Sequence, residues 1–194
     1  MNPTHIIETL GLIGLFAIIF AESGLFFGFF LPGDTLLFTA GLLASQHIIS
    51  LPLLVVGASV CAILGDSVGY MFGKHIWPKI FTKDNSFFWN KEHITRSQKF
   101  FDRYGKRAIL LARFMPIIRT FTPILAGVGS MEYQTFLRYN IGGGILWVTT
   151  LTVFGYLFGS LIPNPDTYIY PVIVGILLLS VLPVLKEFIS SRNN

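Results

Sequence analysis

The chain has 194 residues, 53% of them apolar and only 12% charged, about half the roughly 25% charged share of soluble domains. That composition excludes an ordinary water-soluble domain. The formal charge of +4 does not indicate a nucleic-acid partner either, because it is concentrated in one stretch without a recognised binding motif: nine basic residues against three acids lie from Lys74 to Arg107, and the rest of the chain is net negative.

A spanning helix needs about 20 mainly apolar residues. The first candidate, Ile6 to Ala21, has no Lys or Arg ahead of it and no clear small-residue cleavage site, so it is expected to be retained rather than removed as a signal peptide. The next apolar segment, about Ser23 to Gln46, is interrupted by Leu31-Pro32-Gly33-Asp34. Proline removes a backbone donor and its ring disrupts the preceding turn, so no regular helix is expected through Pro32 and Gly33. Leu51 to Gly73 is continuous. It holds Cys61, the only cysteine, which behaves there as a small hydrophobe and can form no intramolecular disulfide. Residues 74–107 interleave their charges with Phe81, Phe87, Phe88, Trp89, Phe100, Phe101 and Tyr104, the pattern of amphipathic helices lying on an anionic leaflet. A second broken segment, about Ala108 to Ser130, carries Pro116 and Pro123, and both are expected to interrupt it. Continuous helices are then expected from about Ile141 to Gly159 and over 170–189.

The two halves resemble each other. Gly69-Tyr70-Met71-Phe72-Gly73 returns as Gly155-Tyr156-Leu157-Phe158-Gly159, and Phe30-Leu31-Pro32 with Ala40-Gly41 returns as Phe114-Met115-Pro116 with Ala126-Gly127. Matches in one order at nearly one offset indicate an internal repeat. Unpaired backbone at membrane depth is tolerated only where protein buries it or water reaches it, so both broken segments read as re-entrant hairpins rather than kinked spanning helices. Placing the basic 74–107 connection in the cytoplasm also places Arg138, Lys186 and Arg192 there, and it inverts the two halves, as in many secondary transporters. The expected fold is a single all-α integral membrane domain. It comprises repeat 1 over about 23–73, a cytoplasmic amphipathic connection over 74–107, repeat 2 over about 108–160, and extra N- and C-terminal helices. The Gly-x-x-x-Gly pairs starting at Gly24, Gly69 and Gly155 are assigned to helix packing.

Within or beside the broken segments lie Glu22 and Asp34 in the first and Arg113 and Arg119 in the second, with Asp66 deeper in the following helix. A charge at the bilayer centre costs about 2.5–3.5 kcal/mol on insertion scales, so each needs a partner, a wet cavity or a neutral form. Pairing of carboxylates with arginines would meet that need and join the hairpins. The functional reading divides the residues by sign. Arg113 and Arg119 suit a phosphate headgroup, since guanidinium stays charged and makes paired bonds to phosphate oxygens, and a broken helix adds free backbone N–H groups. Glu22 and Asp34, and less directly Asp66, are candidates for proton exchange, because a desolvated carboxyl titrates closer to neutrality. No metal or cofactor is expected: His5, His47, His75 and His93 have no metal-ligand spacing, and no nucleophile elbow or phosphate-binding loop is present. Ser23 is read as a packing residue, with no histidine base placed near it.

Phe20-Ala21-Glu22-Ser23-Gly24, Phe30-Leu31-Pro32-Gly33-Asp34, Gly65-Asp66-Ser67-Val68-Gly69-Tyr70, Ala112-Arg113-Phe114-Met115-Pro116-Ile117-Ile118-Arg119-Thr120-Phe121 and Ala126-Gly127-Val128-Gly129-Ser130-Met131 closely resemble the bacterial DedA family of the VTT, or SNARE-associated, membrane superfamily, over about residues 10 to 160. The resemblance implies two re-entrant hairpins in inverted repeats, and it implies that Glu22, Asp34, Arg113 and Arg119 match essential acidic and basic positions of the family. It further implies a non-enzymatic lipid transporter of the bacterial inner membrane, moving undecaprenyl phosphate or a phospholipid, dependent on the proton motive force and active in envelope homeostasis. A proton-dependent ion or small-molecule antiporter is the alternative. Homo-oligomerisation is compatible with either.

Overall fold

The computed structural model describes residues 3–25, 31–76 and 107–161. The tip of the first expected hairpin, most of the basic connection and the expected 170–189 helix lie outside these residues. All regular structure among the described residues is helical. It comprises α1 (Pro3–Gly24), α2 (Gly33–Ser45), α3 (Leu51–Met71) continuing into a wide π-helical turn (Phe72–Ile76), α4 (Arg107–Ala112), α5 (Pro116–Val128) and α6 (Tyr133–Ser160).

Among the described residues two helices are long and apolar enough to cross a membrane, Leu51–His75 and Tyr133–Ser160. On α3 the residues Leu53, Val56, Val60, Leu64, Val68 and Met71 are 43–62% exposed. Their spacing of three or four places them on one face, and an apolar stripe of that length would be anomalous in water. Ile141, Ile145, Phe154, Leu157 and Phe158 are likewise exposed on α6. By contrast α2 and α5 have 13 residues each, or about 20 Å at 1.5 Å per residue.

The helix ends follow local chemistry. Pro32 is the N-cap of α2, and Pro116 opens α5, a position where its missing N–H costs no intrahelical bond. Both helices close in the same turn. The N–H of Ile48 bonds to the Leu43 carbonyl and that of His47 to Ala44, while Met131 bonds to Ala126 and Ser130 to Gly127. These are Schellman closures, and the residue at the left-handed position is His47 (φ 60°) in one and Ser130 (φ 55°) in the other.

Two expectations need correction. Pro123 does not break the chain: it lies inside α5. A proline removes only the one bond its N–H would make to residue i−4, and here Pro123 is buried by its neighbours, which hold the helix through that defect. The helix expected from about Ile141 starts at Tyr133. Counting apolar residues started it too late, because the polar residues of its first two turns still complete backbone bonds.

The described chain forms two compact units. The first takes in α1 to Ile18, α2, α3 to Ala58 and α6 from Val148; the second takes in the remainder of α1 and α3, with α4, α5 and α6 to Trp147. In the first, Ala40, Ala44 and Leu54 form a core with Phe16 and Tyr156 against it, and α2 meets α6 through glycines. A β-carbon at Gly41 would collide with the Thr152 carbonyl oxygen, and one at Gly155 with that of Phe38. In the second, Tyr70, Ile109, Ala126 and Phe136 form the core, with the rings of Tyr70 and Phe136 stacked at 4.8 Å and the Tyr70 hydroxyl donating to the Met131 carbonyl. There α3 meets α5 in the same manner: a β-carbon at Gly73 would collide with the Ile124 carbonyl oxygen, and one at Gly127 with that of Tyr70. Small residues let helix backbones touch, the main source of helix association where lipid replaces water.

Candidate functional site

Among the described residues the second unit buries three charged side chains, Glu22, Asp66 and Arg113, and partly buries a fourth, Arg119. They are brought together by backbone packing. A β-carbon at Gly24 would lie 2.8 Å from the Gly65 carbonyl oxygen, so the end of α1 sits directly on α3 and carries Glu22 inward, while Asp66 follows Gly65 on the facing helix. Arg113 occupies the link between α4 and α5, and Arg119 lies one turn into α5.

The charges form two pairs. Arg113 Nη2 donates to Asp66 Oδ2, with side chains 5% and 7% exposed. Arg119 Nη2 donates to Glu22 Oε1, with side chains 12% and 1% exposed. Each arginine has a further partner that sequence reasoning missed. Arg113 also donates to Asn140 Oδ1, and Asn140, fully buried, donates from Nδ2 to the Ile63 carbonyl at 3.1 Å. The guanidinium of Arg119 lies 4.7 Å over the ring of Trp147, a cation–π contact with a tryptophan only 3% exposed. A β-carbon at Gly143 would lie 3.0 Å from Arg113 Cδ, and one at Gly144 3.5 Å from Arg113 Cζ, so bare backbone of α6 makes room for that side chain.

The expected helix begins one residue after Asn140; its position two residues before Gly142-Gly143-Gly144 was the available signal. Trp147 carried no signal beyond apolarity. Asp34, the remaining acidic candidate, is half-buried in the first turn of α2 and belongs to the first unit. Pro32 and Gly33 belong to that unit as well, and Pro116 and Pro123 to the second. Among the described residues no three of His, Cys, Asp or Glu are grouped as a metal would require.

Asn140 joins a cation on α5's leading link to the backbone of α3, and this gives the first prediction. Asn140→Leu keeps the branched outline but strips both bonds, leaving Arg113 without its Asn140 acceptor and the Ile63 carbonyl without its side-chain donor. Stability measured by thermal unfolding in detergent is expected to fall by about 2–3 kcal/mol; an unchanged midpoint would remove Asn140 from the network.

Chemically, the arrangement stores two guanidinium groups in an apolar interior with their charge exactly offset by two carboxylates.

Comparison with known proteins finds the VTT domain over residues 31–157. The chain is 42% identical to Protein DedA of Escherichia coli K12 over 180 residues, covering 92% of this chain and 82% of that protein. It is 45% identical over 168 residues to an uncharacterised membrane protein of Mycobacterium leprae, covering 87% and 75%. To the inner membrane protein YghB of Salmonella typhimurium it is 33% identical over 162 residues, covering 84% and 73%. No solved structure matches.

Proposed function

Because the chain belongs to the DedA family of VTT-domain membrane proteins, we propose that it is a multi-pass transporter of the bacterial cytoplasmic membrane that moves a phosphate-bearing lipid, undecaprenyl phosphate, in a proton-coupled cycle. The observation that carries this reading is the pair of arginines, one buried and one largely so, in a lipid-compatible helical unit, each paired with a carboxylate. Buried ion pairs are seldom a gain in stability over well-packed apolar residues, and ionisable side chains inside membrane helices mark transport paths and proton relays. Guanidinium groups supply bidentate donors for phosphate. Glu22 and Asp34, with Asp66 in a lesser role, supply sites for protons.

Re-entrant hairpins in inverted repeats complete the reading. Two features support them: α2 and α5 are each far shorter than the roughly 30 Å hydrocarbon core, and each ends in the same turn and packs through glycines on one long helix. Residues 74–107 are assigned to the cytoplasmic side from their charge.

The test is transbilayer movement of labelled undecaprenyl phosphate by purified protein in liposomes, with and without a pH gradient. Movement that responds to the gradient and falls roughly tenfold to a hundredfold in Arg119→Ala, the worth of a charged hydrogen bond, is the expected result. Folded wild-type protein that moves ions but no lipid would replace this reading with that of an ion or small-molecule antiporter.

A further inference from the structure

Arg113 is only 4% exposed, yet its guanidinium is not fully satisfied. Its bonds to Asp66 and to Asn140 are both made by Nη2. Nε, an N–H donor, is buried as well and has no hydrogen-bond partner. Native interiors rarely leave such a donor unmet, so each instance calls for an explanation.

What lies beside Nε is bare backbone. A β-carbon built at Gly143 would stand 3.3 Å from Nε and 3.0 Å from Cδ of Arg113. An acceptor oxygen sits about 2.9–3.0 Å from an N–H nitrogen, so the methyl that Gly143 lacks leaves a gap of one atom close to where Nε needs its partner. Helix contact does not account for this glycine. Gly73 and Gly127 are each required by a backbone carbonyl oxygen of the facing helix, whereas the nearest backbone atom to a β-carbon at Gly143 is Leu110 Cα, at an ordinary 3.5 Å. Gly143 is set against a side chain, and that side chain carries the unmet donor.

Resting on the lipid-phosphate reading above, we propose that Arg113 Nε and the bare backbone of Gly143 form a buried subsite for one acceptor oxygen of a phosphate group, kept open by the absence of a side chain at Gly143. The guanidinium then divides its work. Nη2 anchors the group through Asp66 and Asn140, and Nε meets the ligand. Asn140, committed in turn to the Ile63 carbonyl at 3.1 Å, is a positioning residue. Because Asp66 already offsets the charge of Arg113, the ligand gains a charge-assisted hydrogen bond rather than a new ion pair. It can leave again without stranding the cation, since Asp66 keeps its place throughout. A lipid headgroup and free phosphate offer the same oxygen chemistry.

The experiment follows the Arg113 Nε–H resonance of the full chain, with isotope-labelled arginine, in nanodiscs. The signal is assigned through its proximity to the Gly143 α-protons. Undecaprenyl phosphate, undecaprenol or inorganic phosphate is then added. Undecaprenyl phosphate is expected to move the signal downfield and slow its exchange with water, and undecaprenol to leave it unchanged. Inorganic phosphate distinguishes the two sources: a response to it supports a subsite for the phosphate group alone, and silence supports one for phosphate carried on a lipid. Gly143→Ala, which puts a methyl in the gap, is expected to weaken binding of undecaprenyl phosphate by about tenfold to a hundredfold, the worth of a hydrogen bond to a charged group, and to abolish the response. Gly142→Ala, with nothing within 4 Å of its β-carbon, should change neither. Thermal unfolding establishes that the variants are folded, and if Gly143→Ala is not, the wild-type titration decides alone. Binding of undecaprenyl phosphate that leaves the Nε–H signal unmoved overturns the subsite and leaves the lipid reading standing. Absence of binding by folded wild type removes both.

Discussion

Arg113→Ala is expected to lower the stability of the purified protein by about 3–5 kcal/mol, the usual consequence of removing one member of a buried ion pair. The loss has two parts. Asp66, 5% exposed, is left as a charge in an apolar interior, and Asn140, fully buried, loses the donor to its Oδ1. Asp66→Ala strands the arginine instead and is expected to cost a similar amount. The double variant Asp66→Ala with Arg113→Ala should cost clearly less than the sum of the singles, since neither charge is then left alone. Arg113→Lys should not restore stability, because both bonds are made by the far Nη2 of the guanidinium, which lies one bond farther along the side chain than a lysine ammonium. Denaturant midpoints in one detergent, read for all four proteins, provide the check. Additive singles would mean that the pair is not coupled.

Gly127→Ala and Gly73→Ala form the second large effect, expected at about 3 kcal/mol or more each, at or above the upper end of ordinary overpacking. The reason is what a new methyl would meet. At both positions the obstacle is a backbone carbonyl oxygen on the partner helix, which cannot rotate aside as a side chain can, so α3 and α5 would have to separate. Gly142 provides the control on the same kind of helical backbone. Nothing lies within 4 Å of a β-carbon there, and Gly142→Ala is expected to be neutral or to stabilise α6 by about 0.5–1 kcal/mol through reduced freedom of the unfolded chain. Thermal midpoints of the three variants, with folded content checked by circular dichroism, decide the matter. A harmless Gly127→Ala would show that the two helices do not approach as closely as described.

The pattern of charge and apolarity along the chain determined the class of this protein. Long apolar runs, few charges and proline-broken segments are local properties, and they translate directly into helices because a helix satisfies its backbone bonds within its own segment. The start of α5 at Pro116 and the start of α2 after Pro32 were legible for the same reason. So were four of the five charged candidates, Glu22, Asp66, Arg113 and Arg119, because burying a charge among apolar residues is costly enough to announce itself in sequence. Local rules misjudged Pro123, where packing holds a helix through a missing bond, and the start of α6, where polar residues continue a helix that an apolar count had ended.

Which charge meets which was decided only by the tertiary structure. Asp66 and Glu22 are both acids beside glycines, and nothing in their sequence neighbourhoods assigns one to Arg113 and the other to Arg119. That assignment follows from the contact of Gly24 with Gly65 and from the entry of α6 with Asn140, the glycines and Trp147 on its inner face. The pairing depends on residues far apart in the chain, because a buried charge is satisfied by whatever the packed helices bring within a hydrogen bond's length, and the order of residues along the chain does not encode that distance.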